Sequence, residues 1–170
     1  MKEKITFNIL EEKDIKFLSN LLNDERILAA LHSEKLSYDE WLDVYRKYWK
    51  NDTDEKHFIL SFEDKPAGWL KINGLDGNGT AWLSMLAVVP EHQRKGLGKA
   101  AVSFFEKYIS DRGFSSAGIH MTEDNSVAQN LYKKCGYDVT ERSESMTGDG
   151  SKMISYTFFK KLKTENKIER

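Results

Sequence analysis

Two rhythms of apolar residues alternate along the chain. Short apolar runs mark strands, and stretches in which apolar residues return every three or four positions mark helices. Ile5–Leu10 predicts a first strand, and Ile15, Leu18, Leu21 and Leu22 predict an amphipathic helix behind it. A second helix has a defined start: Ser37 and Glu40 stand at capping-box spacing, with Leu36 and Trp41 placed for a hydrophobic staple. His57–Phe62 and Ala67–Ile72 read as two strands joined by the turn at 63–66. Asn73–Gly79, rich in Asn-Gly and Asp-Gly pairs, supplies the positive-φ positions of a hairpin loop. Ala81–Val89 is nearly continuous in apolar residues, as in a strand buried on both faces.

From Leu97 the period lengthens again. Leu97, Ala101, Phe104, Phe105, Tyr108 and Ile109 line one face of a long helix that Gly113 closes. Ala117–Met121 is a further strand. Asp124 or Asn125 caps the helix that follows, whose apolar face is Val127, Ala128, Leu131 and Tyr132 and whose end is Gly136. Tyr137–Arg142 and Met153–Phe159 are the last two strands, joined by a turn at 147–151. The order β-α-α-β-β-β-α-β-α-β-β makes an α/β layer structure of the α+β kind. Its strand–helix–strand unit from Val88 to Met121 implies a right-handed parallel crossover.

Composition narrows the class. A chain of 170 residues with 39% hydrophobic positions supports one domain, here 1–162, followed by a polar tail at 163–170. The balance of 26 basic and 27 acidic residues gives a net charge of -1, so no basic field recommends nucleic acid as a partner. A charged N-terminus without an apolar core, no bilayer-length apolar run and a single cysteine, Cys135, lead to the expectation of a cytoplasmic protein without membrane contact. Cys135, beside the helix-ending Gly136, reads as a packed residue rather than a nucleophile, and His32, His57 and His92 lack metal-ligand spacing, so no metal is expected.

The stretch Trp82–Lys99, WLSMLAVVPEHQRKGLGK, carries the chemistry. It runs from a strand through a basic, glycine-punctuated turn into a helix start, where unpaired amides favour phosphate. Gly96 and Gly98 leave room for a bulky anion near the backbone. The dinucleotide fingerprint fails at Ala101, and the Walker pattern fails at Ala100.

What does fit is Gln93-Arg94-Lys95-Gly96-Leu97-Gly98, preceded by Leu86–Pro90, with a later block of Asn125, Ala128, Leu131, Tyr132, Gly136 and Tyr137. The first block resembles motif A of the GNAT superfamily of acyl-CoA-dependent N-acyltransferases, Gln/Arg-x-x-Gly-x-Gly/Ala. The second is similar to the family's N-x-x-A-x-x-L-Y-x-x-x-G-F, with Tyr137 replacing Phe. The matched blocks lie within residues 82–140. The resemblance implies a mixed, mostly antiparallel central sheet with splayed parallel strands and about four helices. It implies acetyl-CoA as co-substrate, with the amides of Arg94–Lys99 on its diphosphate and Arg94, Lys95 and Lys99 adding charge. The backbone of Leu86 and Val88 would pair with pantetheine, and a backbone N–H at or beside Leu86 would stabilise the oxyanion. Asn125 would bond pantetheine, cap its helix, or do both.

Tyr132 matches the family's general acid, with plain core packing as its alternative. A phenol is protonated at pH 7 and can donate to a departing thiolate. The strand position where the family often places a glutamate base is Trp82. His120, on the following strand, is the next candidate; a structural histidine, Glu123 as base, or ordered water are its alternatives. The implied reaction is direct acetyl transfer to a primary amine on a small molecule, a protein N-terminus or lysine. A non-catalytic acyl-CoA sensor and a nucleotide-phosphate binder are the competing readings, and a homodimer is one assembly the family allows. The acceptor side falls on the N-terminal third. There Tyr38, Trp41, Leu42, Tyr45, Tyr48 and Trp49 share a helical face, as core or as an aromatic wall for an amine, and Glu34, Asp39 and Glu40 offer negative charge, as does any helix start.

Overall fold

A computed structural model describes residues 4–32, 34–146 and 150–163. Its elements are β1 (Ile5–Ile9), α1 (Ile15–Leu22), α2 (Glu25–Leu31), α3 (Tyr38–Val44), β2 (Lys56–Phe62), β3 (Lys65–Asn73), β4 (Thr80–Val88), α4 (Leu97–Ser110), β5 (Ser116–Thr122), α5 (Ser126–Lys134), β6 (Asp138–Met146) and β7 (Lys152–Lys161). The strands form one sheet in the order β1-β2-β3-β4-β5-β7-β6. Among the described residues only β4 and β5 pair in parallel, across the crossover made by α4. Part of the last turn, 147–149, and the tail from 164 lie outside the described residues.

Each face of the sheet has its own core. Leu70, Ile72, Leu83, Ile119 and Phe158 meet α4 on one side, through Leu97, Phe105 and Ile109. Ile59, Trp69 and Ala87 meet Ile15, Leu18, Leu22 and Trp41 of α1 and α3 on the other. The capping box forms as the sequence predicts: the Glu40 amide donates to Ser37 Oγ at 3.1 Å, and the Ser37 amide to Glu40 Oε2 at 2.6 Å. Glu40 is thereby spent on its own helix.

The structure departs from the sequence reading in three places. First, α2 is an additional helix, capped by Asp24 through the Arg26 amide, so five α-helices are present among the described residues. It buries only Ile27, too little to leave a periodic stripe. Second, the helix from Tyr38 widens into a π-turn at Tyr45–Trp49. The change of period breaks the proposed aromatic face: Trp41 is buried, while Tyr48 points to solvent. Third, β4 is only half-buried over Ser84–Leu86, because its neighbour β5 has diverged there.

Trp49, at the end of the π-turn, joins a buried polar network. Trp69 Nε1 donates to His57 Nδ1 at 3.1 Å, which leaves the ring proton on Nε2, 3.4 Å from Glu55 Oε2. Lys71 Nζ holds the other Glu55 oxygen at 2.9 Å, and Trp49 stacks on the imidazole at 3.9 Å. Burial pushes the His57 pKa down, against the pull of Glu55. Contact with His57, followed by that with Lys71, holds the Glu55 carboxyl at about 2. Both shifts act in one direction. Above the ordinary histidine value neither group opposes folding; below it the unfolded chain takes up a proton that folded His57 resists, and Glu55 stabilisation fades on further acidification towards pH 2. Urea midpoints should therefore fall steadily from pH 7 to pH 4. In His57→Phe the decline between pH 6.5 and 5 should flatten, from a baseline lower by about 1–3 kcal/mol because Trp69 Nε1 loses its acceptor.

Candidate active site

The site begins where two strands part. β4 and β5 pair over Thr80–Leu83 and Ser116–Ile119 and no further. On its other edge β4 stays with β3, but Leu83 faces Ile72 and Met85 faces Lys71, so Ser84 is an extra residue. Such a bulge bends its strand, and the Ser84 hydroxyl pins it by donating to Asn73 Oδ1. β5 meanwhile follows β7 through Thr122. The result is a wedge between β4 and β5.

This wedge opens as a cleft of about 140 Å³, with Leu83–Leu86 on one wall and Ile119–Thr122 on the other. Asn125, Ala128 and Tyr132, at the start of α5 and within it, and Ala30, Leu31 and His32 at the end of α2 complete the lining. Backbone alternation fixes what the β4 wall offers. Val89 N–H donates to Ala67 on β3 at 2.7 Å, so the amides of Leu86 and Val88 face the opposite edge, towards the cleft. The Val88 carbonyl accepts from Gln93 Nε2 at 3.1 Å. Gln93 thus ties the glycine turn to the strand by its side chain.

Beyond that tie the turn coils into an amide-lined hollow. Arg94 (φ 65°) and Gly96 (φ 80°) are both left-handed, a geometry that turns successive N–H groups towards an anion. The first intrahelical bond of α4 runs from Ala100 N–H to the Gly96 carbonyl, which leaves the Leu97, Gly98 and Lys99 amides without helical partners. The two glycines serve different ends. A β-carbon on Gly96 would meet open space, so its left-handed backbone is what requires glycine there. One on Gly98 would lie 3.0 Å from Leu131, so that glycine lets α4 pack closely on α5. Leu97 is buried and contributes only its amide, while the Arg94, Lys95 and Lys99 side chains are exposed, with Lys95 over the Phe62 ring.

At the cleft floor Tyr132 is 4% exposed, in edge contact with Tyr137 and tilted against Phe158. Burial lifts its phenol well above the ordinary value, so the proton stays on at neutral pH. Its helix end is held by Gly136 in the left-handed region, with Tyr137 N–H on the Tyr132 carbonyl at 3.0 Å. Asn125 lines the cleft and also caps α5, accepting from the Ala128 amide at 3.3 Å.

His120 faces the same cleft. It stacks on Trp82 with centroids 4.5 Å apart and planes within 6°, and its Nδ1 is 3.1 Å from Thr157 Oγ1. Trp82 lies across Gly118, where a β-carbon would come within 2.4 Å of the indole. Positions 82, 118 and 120 therefore work as one unit. Glu123 lies outside the cleft lining, its carboxylate taking the Tyr156 hydroxyl at 3.3 Å. None of the α3 and π-turn aromatics lines the cleft either; Trp49 packs on His57 and Trp69, and Trp41 on Trp49. Cys135 ends α5, half-buried and likewise outside the lining.

A pair that sequence reasoning passed over stands at the rim. His32 Nε2 lies 3.0 Å from Asp124 Oδ2, and Thr122 Oγ1 donates to Asp124 Oδ1 at 2.6 Å. No short-range pattern could have joined residues that far apart in sequence.

Comparison with known proteins agrees with this geometry. The Acetyltransferase (GNAT) family pattern matches residues 16–137. Spermidine N(1)-acetyltransferase of Vibrio cholerae is 22% identical over 139 residues, 81% of this chain and 80% of that protein. Aminoglycoside N(6')-acetyltransferase type 1 of Salmonella typhimurium is 19% identical over 126 residues, 61% of this chain and 87% of that one. The crystal structure of the Vibrio cholerae spermidine N-acetyltransferase in complex with CoA and spermine superimposes with a TM-score of 0.82, covering 93% of this chain and 95% of its own. With the family pattern spanning the cleft, the turn and α5, the chain belongs to the acetyltransferase (GNAT) family.

Proposed function

We propose that the chain transfers the acetyl group of acetyl-CoA directly to a primary amine on a small polycationic acceptor. The observation that carries this reading is the convergence of three features on one strand edge: the amide hollow at Gly96, the outward amides of Leu86 and Val88, and the phenol of Tyr132. The hollow suits a diphosphate, and the strand edge suits the amides of a pantetheine arm. Arg94, Lys95 and Lys99 supply charge around the hollow, and Gln93 holds the turn against the strand. Asn125 caps α5 with one face and meets the arm with the other.

Tyr132 gives its proton to the departing sulfur. The N–H at Leu86 stabilises the oxyanion as it forms. His120, held flat by Trp82 and steered by Thr157, takes a proton from the attacking nitrogen. The acceptor enters from the α2 side, whose residues share the cleft with those of β5. The names of the Vibrio cholerae and Salmonella typhimurium relatives support a cationic acceptor. The single cysteine supports a reducing, cytoplasmic setting. An acyl-CoA sensor without chemistry has no use for a buried phenol and an oriented imidazole lining one cleft.

The direct experiment incubates the protein with acetyl-CoA and a panel of polyamines, aminoglycosides and peptide amines, and follows thiol release. Tight CoA binding with no thiol release from any amine would refute the enzyme reading. Tyr132→Phe should slow turnover about 10²-fold while acetyl-CoA affinity holds, since only the hydroxyl is removed. Because its phenol stays protonated, Tyr132 should contribute no basic limb to the rate below pH 10. Gly96→Asp should weaken acetyl-CoA binding by at least roughly tenfold, through backbone strain and charge at the helix start; calorimetry reads this directly.

A further inference from the structure

Acetylation of an ammonium group releases one proton that the departing sulfur does not absorb. An acceptor R–NH3+ and a thioester become an amide, a thiol and H+. Nitrogen gives up two protons, one before it can attack and one after the new C–N bond forms. Tyr132 returns one proton to sulfur, which balances the proton that His120 removes. The other has to leave the cleft for solvent. That calls for a second acceptor, close to where the amine enters and open to water.

His32 has these properties. It lines the cleft at the end of α2, against the turn between β5 and α5. It sits at the helix C-cap in the left-handed region, φ 51° and ψ 37°, where a side chain other than glycine or asparagine is uncommon. Its ring is tied down even so. Nε2 reaches both oxygens of Asp124, at 3.0 and 3.3 Å, and the Thr122 hydroxyl holds the same carboxylate by donating to Oδ1 at 2.6 Å. With Nε2 turned to the carboxylate, the proton of the neutral ring belongs there, and Nδ1 is left as the acceptor. Asp124 stands behind the ring, outside the cleft lining. The imidazole lines the cleft and the carboxylate holds it, as in a base oriented by an acid. The His32 side chain is 37% exposed, so a proton it takes passes on to water.

We propose that His32, oriented by Asp124, is a further catalytic residue: the base that takes the first proton from the acceptor ammonium at the mouth of the cleft. The N–H bond of the ammonium breaks, a bond to His32 Nδ1 forms, and Asp124 balances the charge of the imidazolium until the proton leaves for solvent. The neutral amine then attacks, and His120 takes the second proton. This assignment rests on the acetyltransferase reading and divides its proton transfers between two histidines.

The division predicts a selectivity that a structural role cannot produce. Two acceptors of nearly equal shape serve as probes, 1,3-diaminopropane and 2,2-difluoro-1,3-diaminopropane. The fluorines lower amine basicity, so the second probe carries a neutral amine at pH 7. His32→Gln should lower kcat/KM for the first diamine about 10²-fold and leave that for the second within a few-fold. Asp124→Asn, which leaves the imidazole in place, should show the same preference with a loss of about tenfold. His120→Gln should lower both diamines alike, because its proton leaves after attack. Equal loss for both diamines in His32→Gln, or no loss, overturns the assignment and leaves the pair as a strap between α2 and the β5–α5 turn. If the unaltered enzyme releases no thiol with either diamine, the reading of small polycationic acceptors falls, and the role of His32 with it.

Discussion

The parting of β4 from β5 is the constraint on which the molecule's chemistry depends. Parallel strands normally stay together because every amide left behind must find another partner. Here each strand keeps a different companion, β4 following β3 and β5 following β7. The extra residue at Ser84 bends β4, and the four-residue parallel pairing ends just before it. Each sheet half is satisfied on its far side, so the cost of opening falls on the inner edges alone. Those edges are left wanting partners of a strand-like kind, and the arm of an acyl carrier has the amides to supply them. The two cores on the two faces hold the halves in place without closing the wedge.

Much of this was legible in the sequence, and the reason lies in which features are local. The Ser37–Glu40 capping box, the glycine that closes α5 and the apolar face of α4 each depend on residues a few positions apart, and each formed as read. The Gln93–Gly98 turn was also legible, although its two glycines proved to do different jobs. Gly98 is required by Leu131, which arrives from another helix. What the sequence concealed depends on tertiary pairing or on a change of period. The π-turn at Tyr45–Trp49 shifted an aromatic stripe that an unbroken helix would have kept on one face. α2 went unread because it buries a single residue, although Asp24 before Glu25 was a cap signal that could have found it. The bulge at Ser84, the stack of Trp82 on His120 and the pairing of His32 with Asp124 each join elements whose approach no local pattern records.

The substitution of Trp82 for a strand carboxylate shows how the two halves of the site differ in what they require. An indole at position 82 needs space over its neighbour, and Gly118 on the adjoining strand provides it. The flat indole then offers a face on which His120 can lie, with Thr157 fixing the ring from the next strand. On the proposed assignment the base moves from one strand to another at the expense of two further positions. Cofactor recognition allows no comparable rearrangement. The amides of the turn, the outward groups of Leu86 and Val88 and the left-handed residues Arg94 and Gly96 are properties of the backbone path. To alter them is to alter the path of β4 and the start of α4 together, and with it the packing of both cores.

Proton transfer tolerates relocation because it asks only that a group of suitable basicity reach the nitrogen. Any residue on the walls of so small a cleft meets that condition if its side chain is oriented, and orientation is supplied cheaply by one neighbour: Thr157 for His120, Asp124 for His32. Binding of a long, charged carrier asks for many groups at fixed spacing, which only a continuous stretch of backbone supplies. The fold thus fixes one half of its chemistry through main-chain geometry and leaves the other to a few side chains on the α2 and β5 walls. On the proposed reading those walls also meet the acceptor. The groups proposed to remove protons from the amine are consequently among those that choose it, and a change in acceptor would be expected to carry the base along with it.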